Sequence, residues 1–181
     1  MIKYTCNEES YTKRRTNRKK EEVISMAVFT KYSLRLVKEE SKRYECSNVC
    51  ESPEDAVNVV NRVHELKDQP EEVLILICLN VKNKVIGTFE VSRGSLSRAV
   101  VHPREIFKRA LAVNASAIII AHNHPSGEVS PSQADIDLTK KIDKGGEILG
   151  IKLLDHVIVG ERDDYDCWTP SYISLKAEGY L

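Results

Sequence analysis

Two histidines and an aspartate lie close together in the chain and are of types that bind metal ions. His122 and His124 are two residues apart at the end of an apolar run, and Ser132 and Asp135 follow soon after. Imidazole nitrogen and carboxylate oxygen are the ligands of zinc sites that keep their fourth position open for water. The combination therefore predicts an open site for zinc, held by His122, His124 and Asp135.

The residues before the histidines indicate how the two rings are positioned. Residues 115–121 form a short apolar run, rich in isoleucine, which is typical of a buried strand. Side chains alternate along a strand, so His122 and His124 point the same way if the strand stays extended to its tip. Pro125 then ends the strand and Gly127 lets the chain turn.

The aspartate is expected at the start of a helix. Ser132 is a good N-cap for the helical pattern of residues 133–142, which places Asp135 in the first turn. Asp137 lies roughly 200° around that helix, so the two carboxylates cannot both face one metal ion. Ser-x-x-Asp alone is also an ordinary capping arrangement, but capping does not explain two parallel imidazoles at the tip of a buried strand.

Composition limits the class of protein. The chain has 181 residues, of which 41% are hydrophobic and 30% charged, as expected for one globular domain with a modest extension. Its formal net charge is zero, so no global field favours nucleic acid or an anionic membrane. Residues 1–20, in contrast, hold seven basic and two acidic residues. This excess predicts a solvated, flexible leader, and contact with nucleic acid is the alternative.

No segment of the sequence predicts export or a membrane span. The basic residues of the leader are not followed by an apolar stretch, and no apolar run approaches the length of a span. The five cysteines form no framework, since Cys46 and Cys50 have no second close pair, and Cys78 lies in an apolar strand. An odd number of cysteines suits a reducing compartment, so the expected location is cytoplasmic.

The periodicity predicts an α/β fold, a sandwich with a mixed sheet and helices on its faces. We expect three regions: a flexible basic leader (1–22), an extension with a possible strand (23–51) and the main domain (52–181). The predicted elements of that domain begin with a helix that starts after Ser52 and ends near Pro70, followed by strands at Val73–Leu79 and 85–91. A second helix begins at Pro103, with Ile106, Phe107, Ala110, Leu111 and Val113 buried, and leads to the strand at 115–121. A third helix, stopped by Gly145 and Gly146, precedes strands at 149–154 and 157–159 and a tail that packs on the sheet through Tyr165, Trp168, Tyr172 and Leu175.

From about Ser52 to Leu181 the chain resembles the RadC-like branch of the JAMM (MPN+, JAB) metallopeptidase superfamily. The motifs that carry the resemblance are Val100-Val101-His102-Pro103-Arg104-Glu105, Asn114-Ala115-Ser116, Ala121-His122-Asn123-His124-Pro125-Ser126-Gly127, Pro131-Ser132-Gln133-Ala134-Asp135 and Leu154-Asp155-His156. The helix-hairpin-helix region of longer relatives is not apparent. The resemblance implies a JAB/MPN-type sandwich, a zinc hydrolase that cleaves peptide or isopeptide bonds, and a peptide or protein substrate.

The resemblance also implies roles for individual residues. His122, His124 and Asp135 would bind zinc, and Ser132 would steady the oxyanion or the bound water. A glutamate upstream would be the general acid and base. Matched to the strand that follows the first helix, this glutamate is Glu72.

Two other interpretations of the glutamates stay open. Glu90, in the partner strand, is nearer in sequence to the histidines and is the competing general base. Alternatively, Glu71 and Glu72 merely solvate the edge of a strand. The pair Asp155-His156 fits the pattern of the family outside its ligand set and is expected to support the ligands or to pack. His102 is expected to start a helix.

Three other functions compete with a metallohydrolase. A zinc nucleobase deaminase would need His-x-Glu and Pro-Cys-x-x-Cys, and the chain has neither. HNH nucleases spread their histidines and asparagine over a hairpin and a helix, unlike the consecutive His122-Asn123-His124. The main alternative is a non-catalytic or nucleic-acid-associated DNA repair accessory role, because members of the RadC-like branch were long labelled DNA repair proteins. The basic residues within 1–20 are the feature that favours it.

Overall fold

A computed structural model of the chain describes residues 29–30, 42–94, 101–160 and 171–181. The chain divides into two units, Met1–Arg35 and Leu36–Leu181, and the helices and strands of the described residues all lie in the second. In chain order these are α1 (Pro53–His64), a 3₁₀ turn (Leu66–Asp68), β1 (Val73–Leu79), β2 (Val85–Arg93), α2 (Pro103–Ala112), β3 (Ala117–Asn123), α3 (Gln133–Leu149), β4 (Lys152–Val159) and β5 (Tyr172–Ser174).

The strands form one five-stranded mixed sheet in the order β2-β1-β3-β4-β5. β3 and β4 run parallel, and the other neighbouring pairs are antiparallel. Every residue of β1 and β3 is buried, which explains why these central strands are continuous apolar runs in the sequence.

Helices cover both faces of the sheet, and alternate residues of each strand supply the two cores. Ile75 and Ile77 of β1 pack on the α1 side, whereas Leu74 and Leu76 pack on the side of α2 and α3. The structure thus confirms the predicted α/β sandwich with a mixed sheet and flanking helices. Among the described residues, no helix combines the length and the apolar character that crossing a bilayer requires.

The predicted helix starts are confirmed in detail. Ser52 caps α1 and Ser132 caps α3, each in a capping box in which the side chain of Asp55 or Asp135, respectively, bonds back to the backbone of the serine. His102 is the N-cap residue of α2, as expected, although its side chain makes no capping hydrogen bond.

The predicted end of the third helix is wrong. Gly145 and Gly146 do not stop α3, which continues to Leu149 and ends at Gly150 in a left-handed conformation. Gly146 is needed inside the helix because the chain after the helix packs closely against it. A β-carbon there would be 2.3 Å from the carbonyl oxygen of Ile151, so only glycine allows this close approach.

The strands around this helix also differ from the prediction. In place of separate strands at 149–154 and 157–159, β4 is one continuous strand. β3 begins and ends two residues later than predicted, which brings His122 inside the strand.

Two further predictions concern burial and the ends of the chain. Leu111 is predicted in the core but is 52% exposed, whereas Ile106, Phe107 and Ala110 of the same helix are buried as predicted. Leu175 is buried, and Tyr172 lies in β5, which pairs with β4. The leader, Tyr165 and Trp168 lie outside the described residues, and so do residues 23–28 and 31–41 of the extension in which a strand was predicted.

Candidate metal centre

The end of β3 brings the two histidines together. His122 is fully buried, and it lies on the same face of the sheet as Ile120, the face that α3 covers. His124 follows the strand, where its backbone N–H donates to the carbonyl of Val159 at 3.2 Å and keeps the chain close to β4. The Nε2 atoms of the two rings are 3.0 Å apart.

Asn123, between the histidines, holds the segment that leads into β1. Its side-chain oxygen accepts from the N–H of Val73 at 2.8 Å, and its amide donates to the carbonyls of Gln69 and Glu71 at 3.2 and 3.0 Å. These bonds fix the chain on both sides of Glu72. Sequence reasoning missed this role, although a polar residue in a buried position between two histidines was a signal.

The first turn of α3 supplies a buried carboxylate. Asp135 Oδ1 is 3.4 Å from His122 Nε2, and Oδ2 is 3.7 Å from His124 Nε2. Oδ2 also accepts hydrogen bonds from the backbone N–H and the hydroxyl of Ser132, at 2.8 and 2.6 Å. The capping box therefore aims the carboxylate at the histidines, while exposed Asp137 lies elsewhere on the helix.

Of the two glutamates that compete as general base, the structure brings Glu72 to the histidines. One ligand atom from each of Glu72, His122, His124 and Asp135 lies within 4.8 Å of each of the others. Glu90 is outside this group, and its carboxylate forms an ion pair with Arg93 at 2.8 Å. Glu72 directly precedes β1 and is half-buried.

The ionisable groups of this cluster influence one another. Burial lowers the pKa of His122 to about 4, so the ring is neutral at pH 7. The Asp135 carboxylate is the main cause that raises the pKa of His124, and Glu72 contributes to the same shift. Burial alone would raise the pKa of Asp135, but His124, His122 and Ser132 together hold it well below its usual range.

The donor set of the cluster suits a metal ion. The Glu128 carbonyl can only accept, so His124 Nδ1, at 2.6 Å from it, must donate. In the neutral ring the Nε2 lone pair of His124 then faces His122 Nε2 and the Asp135 carboxylate. Nitrogen and oxygen lone pairs that converge in this way repel one another unless a proton or a metal ion lies among them, so the His₂-Asp-Glu group could hold a metal ion.

A second layer of polar side chains supports His122. Its Nδ1 is 2.8 Å from Nε2 of His156, a fully buried residue of β4. Nδ1 of His156 is in turn 2.6 Å from the hydroxyl of Thr139, which donates to the backbone carbonyl of Asp135 at 2.6 Å. Burial keeps the pKa of His156 well below its ordinary value. Sequence reasoning missed Thr139, whose signal was its position one helical turn after Asp135.

Asp155 and His156 are adjacent in the sequence but have different contacts. The buried Asp155 carboxylate accepts from the backbone N–H of His156 at 2.7 Å, the hydroxyl of Ser174 at 2.7 Å and the N–H of Lys176 at 3.2 Å. It therefore secures the C-terminal segment, while the ring of His156 contacts His122.

The chain is similar to proteins of a known family. The model of the "RadC-like JAB domain" family matches residues 50–180. Similar relatives are UPF0758 proteins of Caldanaerobacter subterraneus subsp. tengcongensis (46% identical, over 71% of this chain and 51% of the relative), Clostridium botulinum (47%, over 72% and 52%) and Methanosarcina barkeri (42%, over 79% and 56%). The chain thus spans about half the length of the curated relatives it matches. By the extent of the match, this chain belongs to the RadC-like JAB domain family.

Proposed function

We propose that this protein is a zinc-dependent hydrolase that cleaves a peptide or isopeptide bond. The observation that supports this most strongly is the convergence of two histidines and an aspartate with a second acid, Glu72, within 4.8 Å. His122, His124 and Asp135 are the zinc ligands in this proposal. They would supply three protein ligands, and catalytic zinc sites combine three protein ligands with a water.

Zinc bound in such a site supplies a water whose pKa is about 7 and polarises a substrate carbonyl. Glu72 acts as the general base that removes a proton from the attacking water and then passes it to the leaving amine. This role suits Glu72, because its carboxylate is half-buried and is close enough to His124 for its negative charge to contribute to the raised pKa of that ring.

Ser132 contributes in this proposal through its hydroxyl group. The hydroxyl donates to Asp135 Oδ2 and so orients a zinc ligand. To stabilise an oxyanion directly, the same proton would have to turn from Asp135 to the substrate oxygen, because a hydroxyl has only one proton.

Zinc uptake is the first test, and α3 offers a matched control. Asp135→Asn removes a ligand charge from the cluster, while Asp137→Asn makes the same change at an exposed position of the same helix. We expect about one zinc per chain in the wild type and Asp137→Asn, and much less in Asp135→Asn, by elemental analysis after dialysis. Equal zinc content in both variants would contradict the proposed ligand set.

Cleavage is the second test, and the residue next to Glu72 is its control. Glu72→Gln should keep zinc but lose activity about 10²–10⁴-fold, the usual contribution of a general base. Glu71→Gln should behave as the wild type, because that side chain is about half exposed and lies near Arg93. The assay is mass spectrometry of zinc-loaded protein with a mixed peptide library and an isopeptide-linked peptide. Cleavage that survives Glu72→Gln, or no cleavage of either probe, would contradict the proposal.

The second candidate function is the nucleic-acid-associated accessory role. The seven basic residues within 1–20, which lie outside the described residues, are the observation that favours it. A salt-sensitive shift of duplex DNA that is lost on deletion of residues 1–20 would support this function. The full chain failing to bind at low salt would count against it.

A further inference from the structure

We propose that Thr139 and His156 form a hydrogen-bond relay that fixes the tautomer of His122, so that its Nε2 lone pair faces the metal position. This inference rests on the proposed function, since it concerns how the same site binds its ion. Thr139 and His156 are positioning residues here, because they act through His122.

The relay begins at a short contact between two oxygen atoms. The Thr139 hydroxyl oxygen is 2.6 Å from the backbone carbonyl oxygen of Asp135. Two oxygens approach this closely only with a proton between them, and a carbonyl cannot donate. The single hydroxyl proton of Thr139 must therefore point at Asp135.

The direction of the remaining bonds follows from this assignment. With its proton used, Thr139 can only accept from His156 Nδ1, also at 2.6 Å, so that nitrogen must carry a hydrogen. Because His156 is fully buried, its ring is neutral, which leaves a lone pair on Nε2 that accepts from His122 Nδ1 at 2.8 Å. His122 is left with its hydrogen on Nδ1 and its lone pair on Nε2, toward His124 and Asp135.

The burial of these groups explains why the chain needs such a relay. His122, Thr139 and His156 are each 0% exposed, so solvent cannot donate to or accept from the ring nitrogens. If His122 adopted the other tautomer, an N–H would point at the metal position and oppose binding. Metal-bound histidines ordinarily donate to a carboxylate, a carbonyl or water. Here a neutral imidazole takes that place, and a threonine sets its direction.

A matched pair of substitutions at one position tests the relay. Thr139→Val keeps the branched shape but removes the hydroxyl, and Thr139→Ser keeps the hydroxyl. Loss of a supporting hydrogen bond of this kind typically weakens metal affinity about 10–100-fold. We therefore expect weaker zinc binding in Thr139→Val and an affinity close to the wild type in Thr139→Ser, measured by competition with a zinc indicator. Equal affinity in the two variants would overturn the relay.

The tautomers themselves give a readout that a purely structural role would not change. Long-range ¹H–¹⁵N spectra of the metal-free wild type should show the hydrogen on Nδ1 in both His122 and His156, and Thr139→Val should lose this preference. A hydrogen on Nε2 of His156 in the wild type would overturn the relay even if no variant folds. This result is separate from the proposed function, which fails instead if the wild-type chain takes up no zinc.

Discussion

Gly160, which directly follows β4, allows the loop that supports His124 to pack close to the sheet. A β-carbon built on this buried residue would lie 2.3 Å from the carbonyl oxygen of Gly127 and 2.5 Å from Cγ1 of Val129. Glu128, between those two residues, supplies the carbonyl that binds His124 Nδ1 at 2.6 Å. Gly160→Ala therefore tests whether this loop must be held closely for the metal centre to form.

The size of the effect follows from the geometry. To bring the new β-carbon and the Gly127 oxygen from 2.3 Å into the ordinary van der Waals range, which begins near 3.4 Å, the loop must move by about 1 Å. The backbone of Gly160 does not have a positive φ, so the cost comes from crowding alone. Crowding of this kind typically costs about 1–3 kcal/mol. For a chain of this size, that corresponds to a Tm lower by about 2–12 °C.

Calorimetry of the metal-free protein and a zinc competition assay measure the two consequences. We expect Gly160→Ala to lower Tm and also to weaken zinc binding, because His124 moves with the loop. Gly87→Ala is the control, since a β-carbon there meets only Phe89, at 3.9 Å. If both variants kept the Tm and zinc affinity of the wild type, the loop would not be as tightly constrained as the contacts imply.

Three further predictions concern stability. Asp155→Asn should lower the free energy of unfolding by about 1–3 kcal/mol in urea titrations, because the carboxylate that accepts from Ser174 and two backbone N–H groups is lost; an unchanged midpoint would contradict this. Gly146→Ala would normally stabilise a helix by about 1 kcal/mol, but here the contact with Ile151 should reverse the sign in the same assay. In the metal-free protein, burial lowers the pKa of His122 to about 4. As the pH falls below 6.5, this histidine therefore takes up a proton in the unfolded chain but not yet in the folded one, which favours unfolding. The contribution of His122 should thus decrease by about 3 kcal/mol between pH 6.5 and pH 4. His122→Gln should make the loss of stability less steep in urea titrations at several pH values, and the part that remains comes from buried His156, whose pKa is also lowered.

The parts of the fold set by local rules could be predicted from the sequence. The predicted bounds of β1 match the observed ones because a central strand buried on both faces must be apolar throughout. The two serine caps were predictable because each capping box depends on residues only three positions apart. The end of α3 was not predictable, since the contact between Gly146 and Ile151 overrides the low helix propensity of glycine.

The candidate site shows the same division between local and distant contacts. His122, His124 and Asp135 could be grouped from their spacing, because one strand, one turn and one helix start carry all three. Glu72 is far away in the chain, and only the resemblance to a family selected it. The contact of His156 with His122 depends on how β4 pairs with β3, and its contact with Thr139 depends on how α3 packs on β4; no spacing in the sequence encodes either one.

The capping box of α3 has a consequence for how the ion is captured. The carboxylate of Asp135 is already held by the backbone and hydroxyl of Ser132 before any ion arrives. Capture therefore does not have to organise a disordered segment, and little conformational entropy is lost at that step. Loading should then be governed by the approach of the ion and the release of its hydration shell, and an empty protein should keep the start of α3 intact after chelation.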